Sequence, residues 1–537
     1  MKKLLSILVV AMLLINSSSI AALAYSSSGA YSSPGNTTKE DLTVQKQVIA
    51  IVPLDSRPCN TQYPQLIGGI MNQTVLLPPT EILDNYTASS DTEALWTWMD
   101  ENAKISNKMI IYTNQLLNGG LISSRSYVNS DAIEYDVNRL TRFIEAHPDV
   151  EVTVVSILPR LRPSQFDIYF KKYQKSLTAW GKLLDYNYTM KLPVPKYPED
   201  VPLEITQRYK DLYTYHANLS TAISNLADKG VIKRYFIGQD DGEQFAPSNI
   251  IYRNLLNKSY KNVTVQKGAD ELTMMICAME NKTAHEINLV YTNPAAVTAY
   301  LPYESASLED IVQEKLSIFG ITINPDAKDT LIVHNDQLYT DRVQSLIPQE
   351  KSGYIAIADV AYTNRGDVGL KNLLFQKGSL SNIDAYSGWN TASNSIGTAL
   401  SQYVATKFLE QNYDKIDEFS QRQCIDSIMK FKYVRLAEDI IYQGLMVANM
   451  RPIFSARGMR MSNGDLYSDK KHDAEQLLNE YGFKYIIELN KIFSGSNILY
   501  LGNKAIKIDY NFINSIFSYP WHRTFEIFVS PIFSKSV

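Results

Sequence analysis

The chain has 537 residues and a mass of 60.8 kDa, with 45% hydrophobic and 20% charged residues. That balance excludes a disordered, collagen-like or coiled-coil chain. Lys and Arg number 52 against 56 Asp and Glu, a net charge of −4 with a pI near 6.0, so bulk electrostatics gives no case for binding nucleic acid or an anionic membrane surface.

Lys2 and Lys3, the apolar run 4–15 and the small residues Ala22-Leu23-Ala24 read as a secretory signal peptide over 1–24. The run is short for a membrane span, and no later stretch is long and apolar enough for one. The expected protein is therefore secreted or extracytoplasmic, released or cell-wall associated, with no membrane span after signal cleavage. Residues 25–47 are rich in Ser, Thr and Gly without apolar periodicity, as a flexible linker is.

From residue 48 short apolar runs alternate with helical stretches. The runs are 49–55, 74–79, 109–114, 152–160, 234–241, 263–271, 287–293, 330–336, 354–360 and 382–390. They are β-branched and continuous, as strands buried on both faces are. Between them, 90–104, 131–146, 203–228, 270–281 and 306–318 carry helical spacing. Repeated strand-then-helix order over 48–400 predicts an α/β fold with a parallel sheet. Seven units before residue 300 favour a (β/α)8-like barrel, irregular or incomplete. An open doubly wound sheet with a second Rossmann-like lobe is the alternative. Residues 401–483 read as a helical region, and 484–537 as a small β-rich C-terminal element that includes 485–490. Cys59, Cys277 and Cys424 are too few and too scattered for a disulfide framework, and none has zinc-site spacing. Small buried hydrophobes are their expected role.

Parallel α/β folds gather ligands at the carboxyl ends of their strands. The runs end in Asp55 and Arg57, Asn114 followed by Arg125, Arg160, Asp240-Asp241, Asp270-Glu271, Asn293, His334, Asp359 followed by Asn364, and Trp389-Asn390. Each polar residue alone reads equally well as a helix cap; their recurrence at successive ends points to a site. Asp240, Asp241, Asp270 and Glu271 are the candidate catalytic residues. On neighbouring strands, about 5 Å apart, their carboxyls would stand within the separation that paired acids use to cleave glycosidic bonds. One acid is then kept protonated while its neighbour steers the reacting group. Asp55, Arg57, Asn114, Arg125, Arg160, Asn364, Trp389 and Asn390 are the candidate substrate-binding residues. Guanidinium forks suit carboxylates or phosphates, and an indole beside an amide suits a sugar ring.

The competing use of these groups is a divalent-metal site from Asp55, Asp240, Asp241, His334 and Asp359, although no HExxH or EF-hand spacing is present. A GxSxG elbow, a P-loop and GxGxxG are all missing, so no nucleotide cofactor is expected. The expectation is an exported hydrolase acting on a glycan or cell-envelope polysaccharide. The alternatives are a non-catalytic envelope protein that binds a glycan or peptide, and a metal-dependent hydrolase.

The strings VPLDSRPCN (52–60), LLPP (76–79), GGLISSR (119–125), QDDG (239–242), GADE (268–271), LPYE (301–304), ADVAYTNRGD (358–367), YSGWNTASNSIGTAL (386–400), AEDIIYQ (437–443) and PWHRTFE (520–526) resemble the bacterial domain-of-unknown-function family 4127. The resemblance covers about 49–527 and implies no activity. Locally, Asp240-Asp241 is similar to the adjacent aspartates of substrate-assisted N-acetylhexosaminidases, with Asn390 in the place of their asparagine. This second likeness is a fold-level analogy.

Overall fold

In the computed structural model, residues 44–126, 129–279, 285–348, 350–376 and 378–535 are described. The expected signal peptide and most of the linker lie outside the described residues. Six strands form the first sheet: β1 (Gln47–Val52), β2 (Gln73–Leu76), β3 (Lys108–Tyr112), β4 (Glu151–Leu158), β5 (Arg234–Gln239) and β6 (Val263–Val265), in the order β2-β1-β3-β4-β5-β6. Every pairing is parallel. Five more form a second parallel sheet: β7 (His285–Tyr291), β8 (Ile321–Ile323), β9 (Thr330–His334), β10 (Ile355–Asp359) and β11 (Ala385–Ser387), in the order β11-β10-β9-β7-β8. All ten expected runs contain a strand. The pairings divide them between two sheets, and none among the described residues closes either sheet into the barrel. Within each sheet the chain starts in the interior, adds one strand on one side, then crosses back and adds the rest on the other.

The period-two alternation of β1 explains why the first sheet is covered on both faces. Ala50 and Val52 enter one hydrophobic cluster with the helices Thr92–Ala103 and Leu203–Asp228. Ile49 and Ile51 enter another, which continues without a break into the second sheet. A buried helix, Ala392–Asn412, stands in that shared core. It carries buried Ser, Thr, Gln and Ala, and the Ser401 and Thr406 hydroxyls satisfy themselves on the preceding turn, on the Gly397 carbonyl at 2.7 Å and the Gln402 carbonyl at 2.8 Å. The two sheets are thus one hydrophobic body, in which Cys59, Cys277 and Cys424 are buried.

The helical region follows as Glu418–Arg435, a π-helix Leu436–Met446, Val447–Ala456 and Lys471–Phe493. The last of these corrects the expectation of a strand at 485–490: Leu478, Gly482, Ile486, Leu489 and Phe493 are buried at three- and four-residue spacing, a helical period. An antiparallel sheet of β12 (Gly495–Leu501), β13 (Lys504–Ser518) and β14 (Phe528–Lys535) ends the described chain. No helix among the described residues is long and apolar enough to cross a membrane.

Candidate functional site

Loops at the carboxyl ends of strands from both sheets surround a cavity of about 530 Å³. From the first sheet come Arg57 after β1, Arg125 after β3, Arg160 and Arg162 after β4, Asp240 and Asp241 after β5, and Asp270 after β6. From the second come Tyr303 and Glu304 after β7, Asn364 after β10 and Asn390 after β11. Trp521, Arg523 and Phe525 return from the segment before β14.

Asp270 is the most heavily held group. Arg57 meets it with both terminal nitrogens, Nη2 to Oδ1 at 2.7 Å and Nη1 to Oδ2 at 3.1 Å. Asn60 adds a contact at 3.3 Å, and Asn390 donates to Oδ2 at 3.1 Å across from the second sheet. The other edge of the Arg57 fork grips Asp55, at 2.6–3.0 Å. Burial pushes the Asp270 carboxyl up to about 6; Arg57 opposes that rise, and the charges of Asp55 and Asp240 add to it.

Asp240 and Asp241 have different surroundings. Asp240 is buried, with its Oδ2 2.6 Å from Arg125 Nη2. Burial raises its pKa, Arg125 opposes this, and Asp241 reinforces it. Asp241 is half-buried and accepts from Arg160 Nη1 at 2.9 Å. Its φ of +33° is a conformation that a side chain disfavours. Tyr86, Tyr303, Asn364 and Asn390 share this feature, with φ of 59°, 65°, 67° and 55°. Five of the nine described non-glycine residues with positive φ therefore line this one cavity. Backbone strain of about 1–3 kcal/mol per residue persists where the surroundings enforce it, and it concentrates at functional sites.

The loops of the second sheet are pinned from behind. The Asn364 N–H donates to the Asn390 carbonyl at 2.7 Å, and the Gly366 N–H to the Asp439 carbonyl at 3.1 Å. Asp439 Oδ2 accepts from the Gly388 N–H at 2.8 Å. Asp439 lies on the π-helix, ion-paired to Arg435 at 3.1 Å. Burial holds its carboxyl near 7 despite Arg435. Glu304 accepts from the Ser393 N–H at 2.7 Å and the Ser393 hydroxyl at 2.8 Å, at the start of the buried helix Ala392–Asn412. Burial pushes it up to about 7 against those hydrogen bonds.

Four of the expected site residues stand elsewhere. Glu271 is fully buried and does not line the cavity; Lys315 binds it at 2.6 Å and Asn394 at 2.8 Å. Asn114 sits between β3 and β4, accepting from the Ile157 N–H at 2.8 Å and donating to the Ile157 carbonyl at 3.1 Å. It continues the sheet ladder with its amide. Trp389 packs edge-on to Tyr63 at 5.7 Å, and its indole N–H donates to Thr398 at 3.2 Å. Asp55 lies behind Arg57 with no exposed surface and orients that guanidinium. The aromatic wall comes instead from Tyr86, Trp521 and Phe166. Tyr86 stacks on Trp521 at 5.3 Å and meets Phe166 at 5.1 Å, while the Trp521 N–H ties to Ser56 at 2.8 Å.

Three of the five residues of the metal alternative, Asp55, His334 and Asp359, do not line the cavity. His334 and Asp359 are buried beneath the second sheet's loops, His334 on Asp367 at 3.0 Å and Asp359 under the Tyr386 hydroxyl at 2.8 Å. No group of three or more His, Cys, Asp or Glu among the described residues comes together as a metal site.

Fold and site define a mixed α/β protein with two parallel sheets whose loops share one polar, arginine- and aspartate-lined cavity. The chain belongs to the family described as Protein of unknown function (DUF4127), whose pattern matches residues 49–530. The strings that carry that resemblance supply most of the lining, from Arg57 through Asp240, Asp270, Glu304 and Asn390 to Trp521. Comparison with the curated proteins and with the solved structures gives no match.

Proposed function

We propose that the chain is an exported hydrolase acting on a glycan or cell-envelope polysaccharide by carboxylate acid–base chemistry, on a frame of two open doubly wound sheets rather than a barrel. The observation that carries this reading is the convergence of Asp240, Asp241 and Asp270 on one cavity, two of them with pKa values raised by burial. A raised carboxyl can hold the proton that a leaving oxygen needs at neutral pH. Asp240 donates that proton, Asp241 steers the reacting group, and Asp270 is the second acid–base resource. Arg57 and Asn390 orient Asp270, and the half-buried Phe166, backed by the buried Tyr86 and Trp521, offers a ring to the sugar. Glu271 has a scaffolding role here, through Lys315.

One observation favours a second reading, an envelope protein that binds a glycan without cleaving it: Asp240, Asp241 and Asp270 each already face an arginine. Turnover separates the two. Purified chain is incubated with acetamido-sugar chromogenic substrates and peptidoglycan fragments, alongside Asp240→Asn and Asp241→Asn. Hydrolysis lost in both variants with binding retained supports the enzyme. Binding without product in the wild type supports the second reading, and neither binding nor product refutes both.

A further inference from the structure

One cation of the cavity has no acid of its own among the described residues. Five arginines line it: Arg57, Arg125, Arg160, Arg162 and Arg523. Arg57 is shared by Asp55 and Asp270, Arg125 and Arg160 face Asp240 and Asp241, and Arg523 pairs with Glu526 at 2.7 Å. Arg162 meets no carboxylate among the described residues; its contact is the Gln174 side-chain oxygen at 3.3 Å. Of the remaining lining acids, Glu243 is taken up by Lys182 at 3.0 Å and Glu304 is pushed up to about 7 by burial.

The arginine loop is also built to stay in place. The Tyr213 hydroxyl donates to the Arg160 carbonyl at 2.8 Å, and the Tyr209 hydroxyl to the Leu161 carbonyl at 2.8 Å. Both tyrosines are on the helix Leu203–Asp228 and are buried. A loop of one cationic residue, one buried leucine and another cationic residue is thereby fixed with Arg160 and Arg162 at the cavity. Arg125 lies close enough to Arg160 that burial and then the Arg160 charge lower its pKa. The Nε groups of Arg125 and Arg160 are buried without a hydrogen-bond partner. Like charges in a low-dielectric site repel each other, and Asp240 and Asp241 offset that repulsion for Arg125 and Arg160, which leaves Arg162 as the cation an incoming anion can meet without displacing an acid. Tyr303 stands at the same place with 46% of its surface exposed and a φ of +65°. A large ring held in a disfavoured conformation and left open to solvent is placed to contact a ligand.

Resting on the glycan reading above, we propose that the substrate is an acidic glycan, in which a sugar-borne carboxylate seats against Arg160 and Arg162 while Tyr303 covers the ring. Planar guanidinium forks match the two oxygens of a carboxylate, and charge-assisted bonds of this kind are the strong ones.

The test is calorimetric binding by the full mature chain. The ligands are matched oligosaccharide pairs, each a uronate- or muramate-containing oligomer and its carboxyl-reduced form. The carboxylated member of at least one pair binds about ten- to hundredfold more tightly than its reduced form, the value of a charged hydrogen bond. Arg162→Gln and Arg160→Gln each remove most of that preference, and high salt weakens it. Arg162 is solvent-exposed, so its variant folds, which unchanged thermal unfolding verifies. Equal affinity within every pair overturns this inference and leaves the glycan reading standing. No binding or cleavage of any member overturns both. A carboxylate preference that survives in Arg162→Gln and Arg160→Gln overturns the assignment to these residues.

Discussion

Arg57→Met keeps most of the aliphatic bulk of a buried side chain and removes its charge. Arg57 makes five side-chain hydrogen bonds of 2.6–3.1 Å, to Asp55 on one edge and Asp270 on the other. Both acids are at least nineteen-twentieths buried, so the variant strands two carboxylates where water does not reach them. Breaking a buried ion pair from one side costs about 3–5 kcal/mol. Asn60 and Asn390 still donate to the stranded acids, which places the expected loss near 4 kcal/mol. A folded unit of about 480 residues has an unfolding entropy near 1 kcal/mol/K, so the melting temperature falls by about 4 °C. Adding Asp270→Asn neutralises one stranded acid, so the double variant regains a part of the loss. Calorimetric melts of wild type, both single variants and the double variant complete the cycle. A single Arg57→Met variant that melts with the wild type, or a double variant no more stable than Arg57→Met, would refute the account of Arg57 as the clamp of the site.

Glu304→Gln tests the pH dependence. The folded pKa of Glu304, about 7, lies above its ordinary value of 4.5, so its stabilising contribution is complete below pH 4.5 and is lost as pH rises through 7. The melting temperature of the wild type should therefore fall relative to Glu304→Gln between pH 5.5 and 8, and a constant gap between the two would contradict it. Gly268 has a φ of +83°, and a Cβ there would lie 2.0 Å from Glu271 Oε1. Gly268→Ala is expected to displace Glu271 from Lys315 and cost at least about 3 kcal/mol in chemical denaturation. Trp389→Phe loses the bond to Thr398 and part of the packing on Tyr63, so it should lower stability by about 1–2 kcal/mol and leave ligand affinity unchanged. Phe166→Ala, at the cavity wall, should do the reverse, as read by calorimetric binding.

The strands were legible because their apolar runs are short, continuous and β-branched. β8 was missed because Ile321–Ile323 is a three-residue edge strand directly after the left-handed Gly320 that ends a helix. The division into two sheets was not legible, because a strand–helix–strand pattern is the same whether the next strand continues a barrel or crosses back beside the first. Strand-end polarity singled out Asp240, Asp241, Asp270, Arg57, Arg125, Arg160, Asn364 and Asn390, which line the cavity. It also singled out Asn114 and Glu271, which do not line the cavity, because a polar side chain at a strand end can turn inward to its neighbour as easily as outward. Trp389 and Trp521 are both indoles beside polar residues, and only packing decides which one reaches the cavity. Tyr303, Glu304, Trp521 and Arg523 lay within strings that marked the family, yet carried no motif that named a role. Arg162, two residues beyond Arg160, had no signal except its loop. The left-handed conformations of Tyr86 and Tyr303 have no counterpart in residue type, since tyrosine ordinarily avoids them.

The central claim is that the cavity gathered by the two sheets is where ligand binds. The most direct measurement is a crystal structure of Asp240→Asn grown with an oligosaccharide that the protein binds in solution. The account predicts density for a sugar ring between Asp270 and Phe166, within hydrogen-bonding reach of Asp241 and Arg160. An empty cavity with the same ligand bound elsewhere on the surface would contradict it.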